Sequence, residues 1–198
     1  STLAAFATFA VAFVARPLGG AVFGHWGDRI GRKAMLIFSL LVMGVATVLI
    51  GLLPGYAAIG IAAPILLVVL RFLQGFGLGG EWGGAVLMAT EHAPEGKRGL
   101  YSSFPQMGPA AGFLVANGLF LALAAALSDE QFAAWGWRVP FVASLVLVLV
   151  GLYVRMTIAE TPVFIRAMET QSRAKVPLRD MLRTYPLVLL LTSGGMVL

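Results

Sequence analysis

Long apolar segments alternate with short polar ones along the 198 residues of the chain. A helix of about 20 apolar residues crosses the roughly 30 Å of hydrocarbon in a bilayer. The pattern predicts an all-α integral membrane protein whose helices are the segments 1–23, 34–53, 64–90, 100–127, 139–159 and 186–198. The first segment lacks an initiator Met and a charged leader, and the last is too short to span. We therefore interpret the sequence as an internal piece of a longer protein.

Charge is distributed unevenly over the polar stretches. Almost all Lys and Arg residues lie in 24–33, 91–99 and 155–183, whereas 54–63 and 128–138 contribute only Arg138. By the positive-inside rule the basic stretches are cytoplasmic. The net charge of +5 thus reflects membrane topology and argues against a nucleic-acid partner. The stretch 160–185 is predicted to be a central cytoplasmic loop, either lying on anionic lipid or forming a solvated linker.

Composition agrees with a lipid environment and narrows the chemistry. Hydrophobic residues make up 59% of the chain and charged residues 12%, against about 25% charged in soluble domains. Cysteine is absent, which excludes disulfides and thiolate metal sites. The two histidines, His25 and His92, have no partner at metal-ligand spacing. We expect no metal, no cofactor and no enzymatic active site.

Three charged residues stand inside predicted spans, where each costs at least ~2.5 kcal/mol unless it is paired or hydrated. They are Arg16, Arg71 and Glu81. Arg71, Gln74 and Glu81 fall within about 80° of one helix face, so this face should point to water or to a partner. Arg16 and Glu81 lie at similar depth, about 12 to 15 Å from the cytoplasmic ends of their helices, which allows a buried Arg16–Glu81 pair. The alternative for Arg16 is snorkelling to the interface.

Two further patterns concern helix packing. Gly75, Gly79 and Gly83 form consecutive GxxxG spacings and predict close approach of a neighbouring helix. In the next segment Ser102 and Asn117 fall within about 40° of Gln106 on the helical wheel. Such a polar stripe either joins helices by hydrogen bonds or lines a solute path, and beside the Arg/Glu helix we favour the path.

The polar stretch GHWGDRIGRK at 24–33 is predicted to be a tight cytoplasmic turn. Gly24, Gly27 and Gly31 permit a sharp reversal. Asp28 can accept hydrogen bonds from free amides at a helix start. The basic residues that follow fix the orientation and can pair with acids on neighbouring loops; they are Arg29, Arg32 and Lys33.

The same stretch has the form G-x-x-x-D-R-x-G-R-K and resembles the loop signature of the major facilitator superfamily of secondary transporters. R-x-x-Q-G-x-G at 71–77 is similar to the fourth-helix motif of that superfamily, and Glu91, Pro94 and Arg98 are similar to its next cytoplasmic turn. E-T-P-x-F at 160–164 is similar to the sequence that closes the sixth helix in sugar-porter-like and metabolite:proton symporter branches. Together with RPLGG, GGEWGGA, RGLYSSFPQMG and WGWRVPF, these motifs resemble the metabolite:proton symporter family most closely.

The resemblance implies that residues 1–159 are helices two to six of an N-terminal bundle and that 186–198 begins the first helix of a C-terminal bundle. It implies proton-coupled symport of an organic acid or a zwitterionic osmolyte such as proline or betaine, by alternating access, in the bacterial inner membrane. Partners would be the small-molecule substrate, protons, the bilayer and the remaining helices of the full-length chain. One departure is Phe104, which stands where the antiporter motif of the fifth helix has glycine, so the resemblance carries no argument for drug antiport.

Other functions stay open at this point. A sugar-porter-like or other major facilitator with a different substrate, or with antiport, is the main alternative. A channel or a structural membrane subunit could also contain these features, whereas an enzyme lacks the convergent groups it needs.

Two sets of residues carry the functional hypothesis. Arg71 would attract a substrate carboxylate, and Glu81 would carry the proton, with a static Arg16–Glu81 pair as the rival account. The candidates for the substrate or proton path are Arg71, Gln74, Glu81, Arg16, Ser102, Gln106 and Asn117. The candidates for a cytoplasmic gating network are Gly24, Asp28, Arg29, Gly31, Arg32, Lys33, Glu91, Arg98, Arg155 and Glu160.

Overall fold

The computed structural model describes residues 2–161 and 164–166, with side chains from residue 8 onward. This part of the chain is helical and contains no β-strand. Its elements are α1 (Thr2–Ile30), α2 (Arg32–Leu52), α3 (Tyr56–Ile59), α4 (Ala62–Glu91), α5 (Arg98–Ala126), α6 (Asp129–Ala134), the 3₁₀ turn η1 (Gly136–Arg138) and α7 (Val139–Thr157). The predicted all-α fold is confirmed.

The long helices coincide with the predicted membrane spans. Four segments of the described chain are long and apolar enough to cross a bilayer: Arg32–Leu52, Ala62–Glu91, Arg98–Ala126 and Gly136–Thr157. The fifth long helix, α1, covers the first predicted span and continues beyond it. Most of the predicted loop 160–185 and all of the predicted span 186–198 lie outside the described residues.

The turn between the first two helices is shorter than predicted. Gly24 and Gly27 lie within α1, and the chain reverses at Gly31 alone, whose φ of 122° suits glycine. The helix extends past the apolar segment because helical backbone satisfies its own N–H and C=O groups in lipid and at the interface alike. The end of the bundle at which α1 and α4 finish and α2 begins is called the turn end below.

Helix α4 lies at the centre of the bundle and packs against α1 on one side and α2 on the other. Gly75 and Gly79 face the backbone of Ala12 and Arg16, so α4 runs parallel to α1. Gly77 and Gly84 face Met43 and Leu36 in the reverse order, so α4 runs antiparallel to α2. A Cβ atom on Gly75 or Gly79 would overlap a carbonyl of α1. The predicted close approach of a neighbouring helix is confirmed at Gly75 and Gly79, whereas a Cβ atom at Gly83 would meet nothing within 4 Å.

Helix α7 packs antiparallel on the far side of α2. Gly44 faces Val148, and Gly51 faces the side chain of Phe141. At the end opposite the turn end, Arg138 donates from Nη1 to the carbonyl oxygens of Gly51 at 3.1 Å and Leu53 at 2.7 Å. These carbonyls have no intrahelical partner at the end of α2, so Arg138 acts as its C-terminal cap.

Helix α5 has a more open environment than the other long helices. It packs on α4, yet none of its residues is buried by the described part of the chain. Large apolar side chains are exposed along it, including Phe113 at 67% and Leu114 at 71%. A surface of this kind suits contact with lipid or with further apolar helices.

Candidate functional site

A polar cluster inside the bundle joins α4 to α2. Arg71 donates from Nη1 to Oε1 of Gln74 at 3.1 Å, and Nε2 of Gln74 donates to Oγ1 of Thr47 at 2.9 Å. The Thr47 hydroxyl donates in turn to the carbonyl of Met43 at 2.7 Å. Arg71 and Gln74 meet because residues three apart are neighbours on a helix surface. Arg71 and Gln74 therefore share one face of α4, as predicted, and hydrogen bonds connect them through Thr47 to the backbone of α2.

The rest of the Arg71 guanidinium is turned towards α1. Its centre lies 5.0 Å from the ring centre of Phe9, and its Nε is buried without a hydrogen-bond partner among the described groups. An aromatic face attracts a cation by about 0.5 to 2 kcal/mol. That attraction leaves hydrogen-bond donors of Arg71 unused within a spanning helix.

Arg16 also lies at the contact surface between α1 and α4, which is called the α1–α4 seam below, and it is nearer the turn end than Arg71. Its backbone faces Gly79, which is about 12 Å further along α4 than Arg71 by helical rise. Its guanidinium lies over the Phe13 ring at 4.2 Å, and its Nε is also buried without a partner in the described part. Two arginines held over phenylalanine rings thus follow one seam of the bundle.

Glu81 is paired with Arg155 of α7. Nη1 of Arg155 lies 2.8 Å from Oε2 of Glu81, and Nη2 forms an ion pair with Oε1. The Ser39 hydroxyl of α2 donates to Oε2 of Glu81 at 3.3 Å. Arg155 also donates to the main-chain carbonyl of Leu36. One carboxylate therefore links three helices, and both charged side chains are more than four-fifths covered, with 18% of Glu81 and 16% of Arg155 exposed.

The predicted Arg16–Glu81 pair is not formed. Gly79 points to α1, and Glu81 is two residues further on, about 200° around the helix. Glu81 consequently faces α2 and α7, away from the α1 seam on which Arg16 lies. The two residues lie at similar depth in the membrane, which is why the sequence favours the pair. They lie on different sides of α4, and this excludes the pair.

Arg155, a predicted member of the cytoplasmic gating network, pairs with Glu81 in the structure. A sequence signal for this position existed. Arg155 lies within the predicted span 139–159, so it counts as a third intramembrane arginine that needs an acidic partner. Only Glu81 supplies an acid inside the predicted spans.

At the turn end, Arg32 connects three helix termini. Its Nη1 forms an ion pair with Glu91 at the end of α4, and its Nη2 lies 3.9 Å from Asp28 in the last turn of α1. The Arg32 and Glu91 side chains are 18% and 13% exposed, whereas Asp28 is 51% exposed. The predicted contact between the 24–33 stretch and Glu91 is present and is better shielded than the Asp28 contact.

Glu160 and Lys33 cap opposite helix ends. The main-chain amide of Lys33 donates to both carboxylate oxygens of Glu160 at 3.3 Å, so Glu160 caps the start of α2. Nζ of Lys33 donates to the carbonyl of Met156 in the last turn of α7 at 2.7 Å. A Cβ atom on Gly31 would overlap Glu160, which gives this position a second reason to be glycine.

The remaining gating candidates lie outside this network. Arg29 contacts the ring of Trp26 at 5.9 Å, and Gly24 is exposed in α1. Arg98 is exposed at the start of α5 and forms no ion pair with a described residue. The predicted network thus divides into an Arg32–Glu91 bridge, a Glu160 cap and the separate Arg155–Glu81 pair.

The polar stripe of α5 makes only local hydrogen bonds. Ser102 donates to the carbonyl of Gly99 at 3.0 Å, and the Asn117 amide donates to the carbonyl of Phe113 at 2.8 Å. Neither these side chains nor Gln106 bonds to another helix of the described chain. Within residues 2–161, the polar stripe of α5 therefore does not join α5 to another helix by hydrogen bonds.

A cavity of about 240 Å³ opens between α1, α2 and α4 at the turn end. Asp28 and Arg32 lie at its charged side, and Leu36 and the glycines of α4 line its interior. Liquid water occupies roughly 30 Å³ per molecule, so the space accommodates several waters. Among the described residues, no three His, Asp or Glu side chains are placed to hold a metal ion.

Comparison with known proteins decides the family. Residues 1–188 match the family model described as sugar (and other) transporter. The chain belongs to this family. Its fold is that of the major facilitator superfamily: the proton:xylose symporter XylE bound to 6-bromo-6-deoxy-D-glucose superimposes with a TM-score of 0.72 at 21% identity, over 82% of this chain and 36% of that one. The expected membership of the superfamily is confirmed.

Similar curated proteins come from bacteria. The inner membrane metabolite transport protein YhjE of Escherichia coli is 61% identical over 93% of this chain, and the shikimate transporter of the same species is 51% identical over 93%. The proline/betaine transporter of Salmonella typhimurium is 44% identical over 82%. The chain spans 42%, 43% and 32% of these three proteins. Family and apolar helices agree with the predicted multi-pass protein of the bacterial inner membrane.

Proposed function

We propose that the full-length protein is a proton-coupled symporter of a small carboxylate-bearing metabolite, working by alternating access. The observation that carries this proposal is the Arg71 cluster: an intramembrane guanidinium held by Gln74, with Nε left without a partner among the described groups. Such a site attracts a carboxylate, because arginine binds carboxylates through two parallel N–H donors. Shikimate, proline and betaine, which name two of the similar transporters, all carry a carboxylate.

Each candidate then has a role. Arg71 and Gln74 bind the substrate carboxylate, and Arg16 provides a second positive charge on the same α1–α4 seam. Glu81 binds and releases the proton, since an intramembrane carboxylate near water is suited to proton transfer. Ser102, Gln106 and Asn117 line a water-filled path along α5.

The turn end corresponds to the cytoplasmic side predicted from the basic stretches. There the Arg32–Glu91 bridge and the Glu160 cap hold the ends of α1, α2, α4 and α7 together. The contact of Arg32 with the half-exposed Asp28 contributes about 1 kcal/mol or less, so it favours one state of the transport cycle only together with the shielded Arg32–Glu91 bridge and the Glu160 cap. Alternating access requires that this half rocks as a unit against the other half of the protein.

The direct test uses the full-length protein in proteoliposomes with labelled shikimate, proline and betaine offered separately. We expect one of them to accumulate when the vesicle interior is made alkaline, and the accumulation to collapse when a protonophore is added. Counterflow without a gradient should persist for the same compound. Accumulation that is indifferent to the pH gradient would rule out proton coupling, and absence of counterflow for all three would rule out this substrate class.

The α5 stripe makes a separate prediction. Single cysteines at Ser102, Gln106 and Asn117 should react with a membrane-impermeant thiol reagent in the full-length protein, because these positions would face water. A cysteine at Leu114, on another face of the same helix, should stay unlabelled in lipid. Residues 1–198 contain no cysteine, so any background label comes from the rest of the full-length protein and is measured on the parent. Equal labelling at Leu114 and Gln106 would show that the stripe does not line a path.

A further inference from the structure

Arg155 holds two partners at once on two different helices. It binds both oxygens of Glu81 on α4, and it donates to the Leu36 carbonyl on α2. Helix α2 lies between α4 and α7, so few contacts other than this ion pair join α7 to α4. The charge of Glu81 therefore decides whether α7 is attached to α4 or only to α2.

We propose that Arg155 is a positioning residue that converts proton binding at Glu81 into detachment of α7 from α4. This inference rests on the proposed proton-coupled transport and names how its proton site acts. With Glu81 ionised, Arg155 bridges α4 and α2. With the proton on a Glu81 oxygen, the ion pair is lost and Arg155 keeps the Leu36 carbonyl, while Arg155 itself stays protonated throughout.

The surroundings of Arg155 make this exchange feasible. Leaving a buried charge without any partner is strongly unfavourable. Arg155 escapes this situation because the Leu36 carbonyl remains, and because it lies in the last turn of α7, where the helix dipole favours a cation. Neutral Glu81 likewise keeps the Ser39 hydroxyl within hydrogen-bond distance, at 3.3 Å. Neither group is left isolated by the proton.

No other described charge contacts Glu81. From α2 it meets Ser39, whereas Arg32 and Lys33 at the start of that helix are engaged with Glu91, Met156 and their neighbours. The intramembrane charge of α1, Arg16, lies over Phe13, and α3 has no charged residue. The only charged residue of α5, Arg98, is exposed at its start. Arg155 is thus the cation that responds to the state of Glu81 in this part of the chain.

The cavity at the turn end offers a route for the proton. It extends from Asp28 and Arg32 to Leu36, the residue whose carbonyl binds Arg155. Water entering this cavity from the turn end reaches Leu36, whereas Glu81 and Arg155 do not themselves line the cavity. The proton is supplied by this water and returns to it, so the exchange needs no other donor.

A conformational measurement tests the inference without requiring a transported substrate. Spin labels at Leu87 of α4 and Tyr153 of α7, both exposed, report the distance between the two helices in the full-length protein. We expect a change in the distance distribution when the pH is lowered far enough to protonate Glu81, because the proton removes its ion pair with Arg155. Glu81→Gln should hold the low-pH distribution at every pH. A pH response that persists unchanged in Glu81→Gln, or no response in the parent protein, would overturn the proposal.

Transport variants separate this role from a static one. Arg155→Gln should lower pH-driven accumulation by about tenfold or more, a factor equivalent to ~1.4 kcal/mol, while exchange at equal pH stays near the parent rate. Arg155→Lys should recover part of the accumulation, and Lys97→Gln, at an exposed residue outside the candidate sets, is the control that should change neither. The double variant Glu81→Gln/Arg155→Gln replaces Arg155→Gln as a test where the single variant fails to fold. Recovery of folded protein in the double variant, together with a label-to-label distance in the parent that does not change with pH, would identify a static ion pair and refute the inference. If the distance responds to pH but no test compound is transported, the proposed substrate class fails and the switch stands.

Discussion

Gly79→Val is expected to lower the yield and the thermal stability of the full-length protein strongly. A Cβ atom at this position would overlap the carbonyl of Arg16 and lie 2.9 Å from the amide nitrogen of Gly20. Both obstacles are backbone atoms of α1, so no side-chain rotation relieves them. Overpacking a close contact costs about 1 to 3 kcal/mol or more, against a total stability of about 5 to 15 kcal/mol. The measurement is the yield and thermal stability of the purified protein in detergent.

Gly83→Val is the matched control for that experiment. Gly83 lies one helical turn further along α4, and no atom lies within 4 Å of the position its Cβ would take. The two substitutions share the cost of changing glycine to valine in the same helix, so their difference isolates the α1 contact. Similar stability of Gly79→Val and Gly83→Val would mean that α1 and α4 do not approach as described.

Arg71→Gln is expected to weaken binding of a carboxylate substrate by about 10- to 100-fold. Hydrogen bonds to charged groups contribute about 1.5 to 3 kcal/mol, and each ~1.4 kcal/mol is a factor of ten. Arg71 donates to Gln74 from only one nitrogen, so its loss should affect the substrate more than the fold. The KM for counterflow of the transported compound measures the effect.

The control variants for Arg71 separate the effect of its positive charge from the effect of its donor geometry. Arg71→Lys keeps the positive charge but loses the two-pronged donor, so it should give an intermediate KM. Lys97→Gln removes an exposed cation that belongs to neither candidate set and should leave KM unchanged. If Arg71→Gln has the parent KM, the carboxylate is bound elsewhere in the full-length protein.

Much of the fold follows from apolar run lengths. The spans 34–53, 64–90, 100–127 and 139–159 match long helices within a few residues, because hydrocarbon thickness sets helix length. The prediction failed at the first turn, where polar sequence was assumed to be non-helical. Gly24 and Gly27 remain in α1, since glycine is tolerated in a helix whose hydrogen bonds are otherwise complete.

The site was less accessible to sequence reasoning. Periodicity placed Arg71 and Gln74 on one face, and they do hydrogen-bond. It could not choose a partner for Glu81, because depth along a helix is readable from sequence, whereas the azimuth of each neighbouring helix is a property of the packed bundle. Arg138 shows the same limit: it was the exception in the charge count, and its contacts with Gly51 and Leu53 explain why it is there.

The cap on α2 has a consequence for biosynthesis. Lys33 and Glu160 are separated by 127 residues, and Arg155 by 119 residues from the carbonyl of Leu36. While the ribosome is still producing α4 and α5, the first amides of α2 must rely on water or lipid headgroups. The α1–α2 hairpin therefore enters the membrane while the start of α2 is still uncapped. Its Lys33 amide is capped by Glu160 only after α7 has been inserted.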